Sequence, residues 1–244
     1  MYKVNYESYV EIIDNVYWVG NHNSIPLHAN PYLVGFGDEF IIFDPGGVND
    51  FSVVTQKILN ITDLNSIKYI VLHHEDPDIC GMTHFLEEMI PTVKIIVNNN
   101  YSELFIKNYG IENPILNISK LNKFKIGGVE IEFIPTPFLH SPSSFMTYIK
   151  DYKILFSSDL FGWIGNNSRD IFSNSVGIEN YILWHKSIVS SLDIFKPVIN
   201  TVKSLDISII ASQHGGVIYG ADRIDNILNI LENTEYSYRN ILLI

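Results

Sequence analysis

The sequence predicts an α+β fold in which two β-sheets pack together and helices cover their outer faces. Segments with strand and helix patterns occur in both halves of the 244-residue chain, as expected for a layered domain. Hydrophobic residues make up 46% of the chain, enough to form a sizeable core. No linker rich in Pro, Gly or Ser divides the sequence, so we expect a single domain over residues 1–244.

The first half is rich in apolar runs that predict strands. Residues 10–19 form one such run, and residues 32–36 and 40–43 flank Gly37-Asp38-Glu39, a hairpin signal. Residues 51–59 have helical spacing, with Asp50 in place as an N-cap. Four further elements are predicted by the same patterns: strands at 67–72 and 94–97, and helices at 82–89 and 101–108.

The second half repeats this organisation. Residues 129–134 alternate apolar and acidic side chains, which predicts a half-exposed strand, and residues 145–149 and 153–157 form a second hairpin pattern. A long apolar stripe predicts one helix over 181–205, with Pro197 expected to kink or interrupt it. A strand at 207–211 and a helix at 221–231 complete the predicted elements.

Composition excludes several classes of protein. The formal charge of −11 argues against binding nucleic acid through a general basic surface. No apolar run approaches the roughly 18 residues of a membrane span, and no basic-then-apolar leader pattern is present. A single cysteine, Cys80, rules out an internal disulfide framework. We therefore expect a cytoplasmic protein that binds neither membranes nor nucleic acid.

Metal-binding residue types recur at the ends of the predicted strands. His74, His140, Asp159 and His214 each follow an apolar strand pattern. Strand ends of two packed sheets can converge on one edge, and rigid strand ends place ligands accurately. The pattern therefore favours a metal site.

The cluster after the strand at 67–72 has an internal spacing that supports this interpretation. His74, Asp76 and Asp78 alternate, so they point the same way if the segment is extended, and Pro77 favours an extended Asp76. Neighbouring carboxylates repel each other unless a cation lies between them. An isolated Asp-Pro-Asp is usually a solvated loop, but the three other strand-end residues favour a metal.

The chain resembles the metallo-β-lactamase superfamily in the order of these residues: His74, Asp76, Asp78, His140, Asp159 and His214. Within the superfamily it is most similar to the flavodiiron branch, whose His-x-Glu-x-Asp motif has a carboxylate in the second position. Phe156-Ser157-Ser158-Asp159 resembles that branch's bridging-aspartate segment, and Ser212-Gln213-His214-Gly215 resembles its terminal segment.

The resemblance implies an αββα sandwich that holds two iron ions. If the family's ligand roles apply at the matching positions, the first iron would be bound by His74, Asp76 and His140. The second would be bound by Asp78 and His214, and Asp159 would bridge the two. Three imidazoles and three carboxylates also suit iron on chemical grounds, although zinc accepts the same ligand types.

Three departures from the flavodiiron pattern matter. Asp76 is one methylene shorter than the family's glutamate, and Ile79 stands where the superfamily has a histidine ligand. We expect Ile79 to leave a coordination position open and to keep the pocket dry. The third departure is that we find no Gly-rich phosphate loop for a flavin, so no flavin is expected in this chain. The pattern is therefore most similar to the oxygen-binding di-iron proteins that lack a flavodoxin domain.

This resemblance implies a protein that binds O2 as an iron–peroxo species and acts in oxygen sensing, for example in chemotaxis. The first alternative is a reductase of O2 or nitric oxide that uses a separate electron donor, and the second is a zinc-dependent hydrolase. The resemblance also implies a homodimer and a signalling or electron-transfer partner. No catalytic residue is assigned from the sequence.

The remaining candidate residues receive lesser roles. His73 and Glu75 are out of phase with His74 and are expected either to orient it or to occupy a plain loop. Asp44 is expected to organise its loop, and Cys80 to be a small buried residue. The other candidates are expected mainly in packing or on the surface: His22, His28, His84, His185, Trp163 and Tyr181.

Overall fold

A computed structural model of the chain describes residues 4–24, 27–121, 124–165, 168–172 and 176–237. The chain forms two compact units, Met1–Glu130 and Ile131–Ile244. We call them unit 1 and unit 2 and describe each by itself. The single domain expected from the sequence stays a prediction.

Unit 1 contains a mixed sheet with the strand order β1-β2-β3-β4-β5-β6-β7. Neighbouring strands are antiparallel from β1 to β4 and parallel from β4 to β7. The predicted single run at 10–19 is a hairpin, because Asn15 adopts a positive φ of 64° and turns the chain. The strands are β1 (Val10–Ile13), β2 (Val16–Trp18), β3 (Tyr32–Phe36), β4 (Glu39–Phe43), β5 (Ile67–Val71), β6 (Lys94–Val97) and β7 (Ile115–Asn117).

Four α-helices belong to unit 1: α1 (Phe51–Leu59), α2 (Pro77–Cys80), α3 (Thr83–Met89) and α4 (Asn100–Ile106). Helix α1 matches its predicted bounds. Asp50 precedes it but does not cap it through its side chain, which instead accepts hydrogen bonds from Asn21 Nδ2 and Ser24 Oγ, both at 2.9 Å. Asp50 thus stands at the predicted N-cap position, but the predicted capping hydrogen bond from its side chain is absent.

Unit 2 is built on a second mixed sheet, along which the strands run β13-β12-β11-β10-β9. Strand β10 pairs antiparallel with β9 and β11, whereas β11 and β12 are parallel neighbours. The boundary between the units falls within β9, which β8 (Phe124–Ile126) precedes in the chain. The strands are β9 (Val129–Pro135), β10 (Phe145–Ile149), β11 (Ile154–Phe156), β12 (Ile209–Ala211) and β13 (Ile218–Tyr219).

The predicted helix at 181–205 is two helices, α5 (Ile178–Ile188) and α6 (Leu192–Lys203), and α7 (Ala221–Glu232) follows later. The chain leaves helical geometry at Val189, and the Ser191 side chain caps α6 by accepting a hydrogen bond from Asp193 N. Pro197 lies inside α6, so the break occurs before the proline and not at it. None of the described helices is both long and apolar enough to span a membrane.

Each unit has its own hydrophobic core. In unit 1 the core includes Ile79, Cys80 and Met82, the three of them fully buried. In unit 2 it includes Phe161, Trp163 and Phe195. The sequence prediction of an α+β chain with two mixed sheets is confirmed.

Candidate metal centre

The unit 1 candidates follow strand β5. His74 is buried, and its Nε2 lies 3.6 Å from Oδ2 of Asp76, whose side chain is 42% exposed. Asp76 is extended, with φ −73° and ψ 152°, and Pro77 begins α2 directly after it. One imidazole and one carboxylate therefore lie side by side at this end of the strand.

Asp78 does not continue the extended segment. It lies in α2, where Ile79 and Cys80 both donate main-chain hydrogen bonds to the Asp76 carbonyl. Proline favours the first position of a helix because its missing N–H would be unpaired there in any case. The predicted alternation through Asp78 is therefore wrong, and the half-buried Asp78 is presented from a helical turn.

Asp44 clamps the residue next to His74. Its Oδ1 accepts a hydrogen bond from His73 N at 2.9 Å, and its Oδ2 lies 2.6 Å from His73 Nδ1. The His73 ring also stacks on Phe43, with ring centroids 5.8 Å apart. These contacts fix the main chain entering His74 and match the loop-organising role expected for Asp44.

Two other groups in unit 1 contact the ligand segment. Cys80 Sγ donates to the His74 carbonyl at 3.2 Å, and burial, then nearby carboxylates, raises the pKa of this thiol well above its ordinary value. Tyr109 Oη donates to the Glu75 carbonyl at 2.8 Å, and burial is the main cause that raises the pKa of Tyr109 to about 12. In the metal-free protein both groups are therefore protonated, and each donates a hydrogen bond to a main-chain carbonyl.

The unit 2 candidates converge on Asp159. Its Oδ2 lies 3.3 Å from His140 Nε2, and its Oδ1 lies 3.6 Å from His214 Nε2. Strands β11 and β12 are parallel neighbours, so the segments that follow them leave the same sheet edge. This explains why Asp159 and His214 meet.

Main-chain hydrogen bonds join these two segments. Gln213 N donates to the Ser158 carbonyl at 2.8 Å, and Trp163 N donates to the His214 carbonyl at 3.2 Å. Ser158 itself has a positive φ of 55°, a strained conformation for a serine. The hydrogen bond from Gln213 N keeps Ser158 in this conformation, which sets the direction in which the chain enters Asp159.

Helix α5 braces the Asp159 segment through two consecutive residues. Trp184 Nε1 donates to the Asp159 carbonyl at 2.8 Å, and the Trp184 ring meets the His214 ring edge to face at 5.1 Å. His185 Nε2 accepts a hydrogen bond from Phe161 N at 2.9 Å, and complete burial lowers the pKa of His185 to about 4. His185 is thus a neutral structural histidine, as the sequence predicted for packing.

The donor atoms within each unit are spaced as a bound cation requires. With metal–ligand bonds of about 2.1 Å and angles of about 90–120°, two donors on one cation lie about 3.0–3.6 Å apart. The three separations between candidate donors lie within or close to that range. A carboxylate whose two oxygens face different imidazoles also has the geometry of a bridge between two ions. The unit 2 donors therefore have the spacing of ligands to a pair of cations, and the unit 1 donors have the spacing of ligands to one cation.

The other histidines have different surroundings. His22 stacks on Tyr6 with ring centroids 4.1 Å apart, and the buried His28 lies against Trp18. On α3, His84 Nε2 lies 3.3 Å from Oε1 of Glu88. These contacts are those of packing and surface residues.

A family profile described as "ODP family beta lactamase" matches residues 27–215, more than half of the chain. The chain belongs to this family. The matched range includes all six candidate ligands, from His74 to His214.

Relatives of this ODP-family chain include flavodiiron proteins. It is 27% identical over 229 residues to the flavo-diiron protein FprA2 of Clostridium acetobutylicum, covering 86% of this chain and 57% of that protein. It is 26% identical over 252 residues to the anaerobic nitric oxide reductase flavorubredoxin of Aeromonas hydrophila, covering 91% and 49%. The chain thus spans about half the length of these curated relatives.

A solved structure, "Peroxy diiron species of chemotaxis sensor ODP", has the same fold. The TM-score is 0.79 at 23% sequence identity, and the match covers 96% of this chain and 98% of that one. The shared fold confirms the fold class. Together with the family profile and the flavodiiron relatives, it confirms the resemblance to the metallo-β-lactamase superfamily and to its di-iron branch.

Proposed function

We propose that this ODP-family protein holds two iron ions and binds O2 at them as an oxygen sensor. His74, Asp76 and His140 would hold the first iron, Asp78 and His214 the second, and Asp159 would bridge the two. The observation that carries the proposal is the two-sided contact of Asp159, with one carboxylate oxygen near His140 and the other near His214. Bound ferrous ions would supply the electrons that O2 binding requires.

The chain's own residues would prepare this site. Asp44 fixes the main chain before His74, Tyr109 and Cys80 hold the carbonyls around it, and Trp184 fixes Asp159. Such contacts keep ligands oriented before the metal arrives.

The test begins with metal analysis of anaerobically purified protein, followed by ferrous loading, addition of O2 and visible spectroscopy. We expect two irons per chain and a long-lived absorption band. Asp159→Asn should lower the iron content towards one per chain and abolish the band, whereas Asp193→Asn on the exposed surface of α6 should change neither. Full iron loading without any O2-dependent band would contradict the proposal.

A second candidate is an O2 or nitric oxide reductase, which the names of the flavodiiron and flavorubredoxin relatives favour. Repeated turnover of O2 or nitric oxide with a separate reducing partner would support it, and a single binding event per loaded centre would support the sensor. Two zinc ions in place of iron, together with hydrolysis of model esters, would instead support a hydrolase.

We also propose the cellular location, the oligomeric state and the type of partner that the sensor function implies. They are a cytoplasmic location, a homodimer and a signalling partner that responds to O2. The absence of flavin from this chain likewise stays a prediction, which absorbance of the purified protein near 450 nm would test.

A further inference from the structure

We propose that Ser144 is the positioning residue that holds His140 in its binding orientation. The inference rests on the proposed function, because His140 matters only as a metal ligand. It concerns a turn of unit 2 between β9 and β10 that contains three serines.

His140 has an unusual main chain for a histidine. Its φ is +83°, and two residues earlier Phe138 has a φ of +64°. L-residues avoid this left-handed region because the side chain crowds the main chain. Phe138 is also 62% exposed, so packing of its side chain does not hold the turn. The buried Leu139 side chain fixes one point of the turn, and hydrogen bonds hold the main chain on either side of it.

The Ser144 hydroxyl lies among the carbonyls of this turn. Its Oγ is 2.7 Å from the Thr136 carbonyl, 2.9 Å from that of Leu139 and 3.0 Å from that of Ser141. The last two carbonyls belong to the residues on either side of His140. One hydroxyl proton donates to one or two of these acceptors at a time, and Ser144 is almost fully buried, so water does not replace this donor.

Main-chain bonds close the same turn around Ser144. Thr136 N donates to the Ser144 carbonyl at 2.9 Å, Phe138 N donates to Ser141 O at 2.9 Å, and Leu139 N donates to Thr136 O at 3.1 Å. The carbonyls of Thr136 and Ser141 therefore accept main-chain bonds and also lie within reach of the Ser144 hydroxyl. Loss of the hydroxyl removes a donor from the Leu139 carbonyl, directly before His140, and lets the left-handed turn relax.

The test uses the full chain and the variants Ser144→Ala and Ser144→Cys, with Ser204→Ala as the matched control. Ser204 Oγ also donates to a main-chain carbonyl, that of Thr201 at 2.6 Å, but at the exposed end of α6. Cobalt(II) is the probe, because its visible absorption reports coordination geometry. Loss of one hydrogen bond corresponds to about a fivefold weaker binding.

We expect Ser144→Ala to weaken cobalt binding about fivefold and to alter its absorption band, and Ser204→Ala to match the wild type. Ser144→Cys keeps a weaker donor, so its cobalt affinity should lie between those of Ser144→Ala and the wild type. If Ser144→Ala does not fold, Ser144→Cys replaces it in the same measurement. In metal-free protein, the Phe138 and Leu139 amides should exchange hydrogen faster in Ser144→Ala.

Three outcomes distinguish the possibilities. Unchanged cobalt affinity and spectrum with a lower free energy of unfolding would overturn the inference, because Ser144 would then be structural only. Unchanged exchange at Phe138 and Leu139 would overturn it as well. If the wild type binds no pair of metal ions, the proposed function fails instead, while the exchange measurement still decides whether Ser144 holds the turn.

Discussion

The indole of Trp184 donates a hydrogen bond to the main-chain carbonyl of Asp159, with 2.8 Å between nitrogen and oxygen. The same ring lies edge-on to His214. Trp184→Phe keeps an aromatic ring but removes the donor. We expect a loss of about 1 kcal/mol in the free energy of unfolding and a several-fold loss of metal affinity.

Urea unfolding and cobalt(II) titration measure these two effects. Trp18→Phe is the matched control, because Trp18 Nε1 donates a buried hydrogen bond of 2.9 Å to Asn30 Oδ1 in unit 1. The control should lose similar stability but keep its metal affinity. Equal metal affinities in the two variants would contradict the role given to Trp184.

Burial of His185 predicts a dependence of stability on pH. Its pKa is lowered from 6.5 to about 4, so below pH 6.5 the unfolded chain takes up a proton that the folded chain does not. The free energy of unfolding should therefore fall as the pH decreases from about 6.5 to about 4, by about 3 kcal/mol in total. Above pH 6.5 this histidine should contribute no pH dependence.

Urea unfolding of metal-free protein between pH 4.5 and 8 measures this dependence. Because all other groups titrate equally in both proteins, the difference between wild type and His185→Gln isolates the histidine. The variant should be less stable at pH 7 but lose less stability on acidification. Parallel curves for the two proteins would show that His185 is not the cause.

The two contacts of the Asp44 carboxylate with His73 predict that neutralising this carboxylate lowers the free energy of unfolding. Asp44→Asn keeps the shape and tolerates the positive φ of 48° at this position. It weakens the contacts to His73 N and Nδ1, which should lower the free energy of unfolding by about 2 kcal/mol. Urea unfolding measures this loss. Asp38→Asn, in the exposed β3–β4 turn, should change stability by less than about 0.5 kcal/mol.

Lys57 binds the N-terminal segment of unit 1 through hydrogen bonds from its side-chain amine. Its Nζ donates to the carbonyls of Tyr6 and Gly20 at 2.8 and 2.6 Å and lies 4.4 Å above the Trp18 ring. Lys57→Met fills the same space without a donor and should cost about 1–3 kcal/mol. It should also speed proteolysis near Tyr6.

The matched control is Lys68→Met, whose amine donates to the Asn65 carbonyl on the exposed surface. We expect it to be nearly neutral, because water replaces an exposed hydrogen bond. A cost for Lys68→Met equal to that for Lys57→Met would show that burial of the amine is not the reason.

Elements with a strong local pattern were predicted from the sequence with accurate bounds. The strands Tyr32–Phe36, Lys94–Val97 and Phe145–Ile149 and the helix Phe51–Leu59 are examples. The short helix α2 was missed because the alternation of His74, Asp76 and Asp78 favoured an extended segment, whereas Pro77 keeps only Asp76 extended and begins the helix itself. The break between α5 and α6 was missed because the apolar stripe continues across it, although Ser191 carried a capping signal.

For the candidate site, the sequence identified the types of residue and their positions after strands. The pairing of Asp159 with His214 depends on two parallel strands that end at one sheet edge, and its pairing with His140 depends on the turn between β9 and β10. The resemblance implied a bridging Asp159, but local sequence patterns do not contain these long-range contacts. The bonds made by Asp44, Trp184 and Ser144 were not predicted. A contact between one side chain and a distant main-chain atom produces no repeating pattern of residue types, so it cannot be recognised in the sequence.

The burial of Ile79 has a consequence for how this site can change. Ile79 is fully buried in the unit 1 core together with Cys80 and Met82. A histidine there would place polar ring nitrogens among aliphatic side chains, at a cost of about 2 kcal/mol or more. A single Ile79→His change should therefore destabilise unit 1 unless the surrounding core is reshaped as well, so packing alone favours the isoleucine at this position.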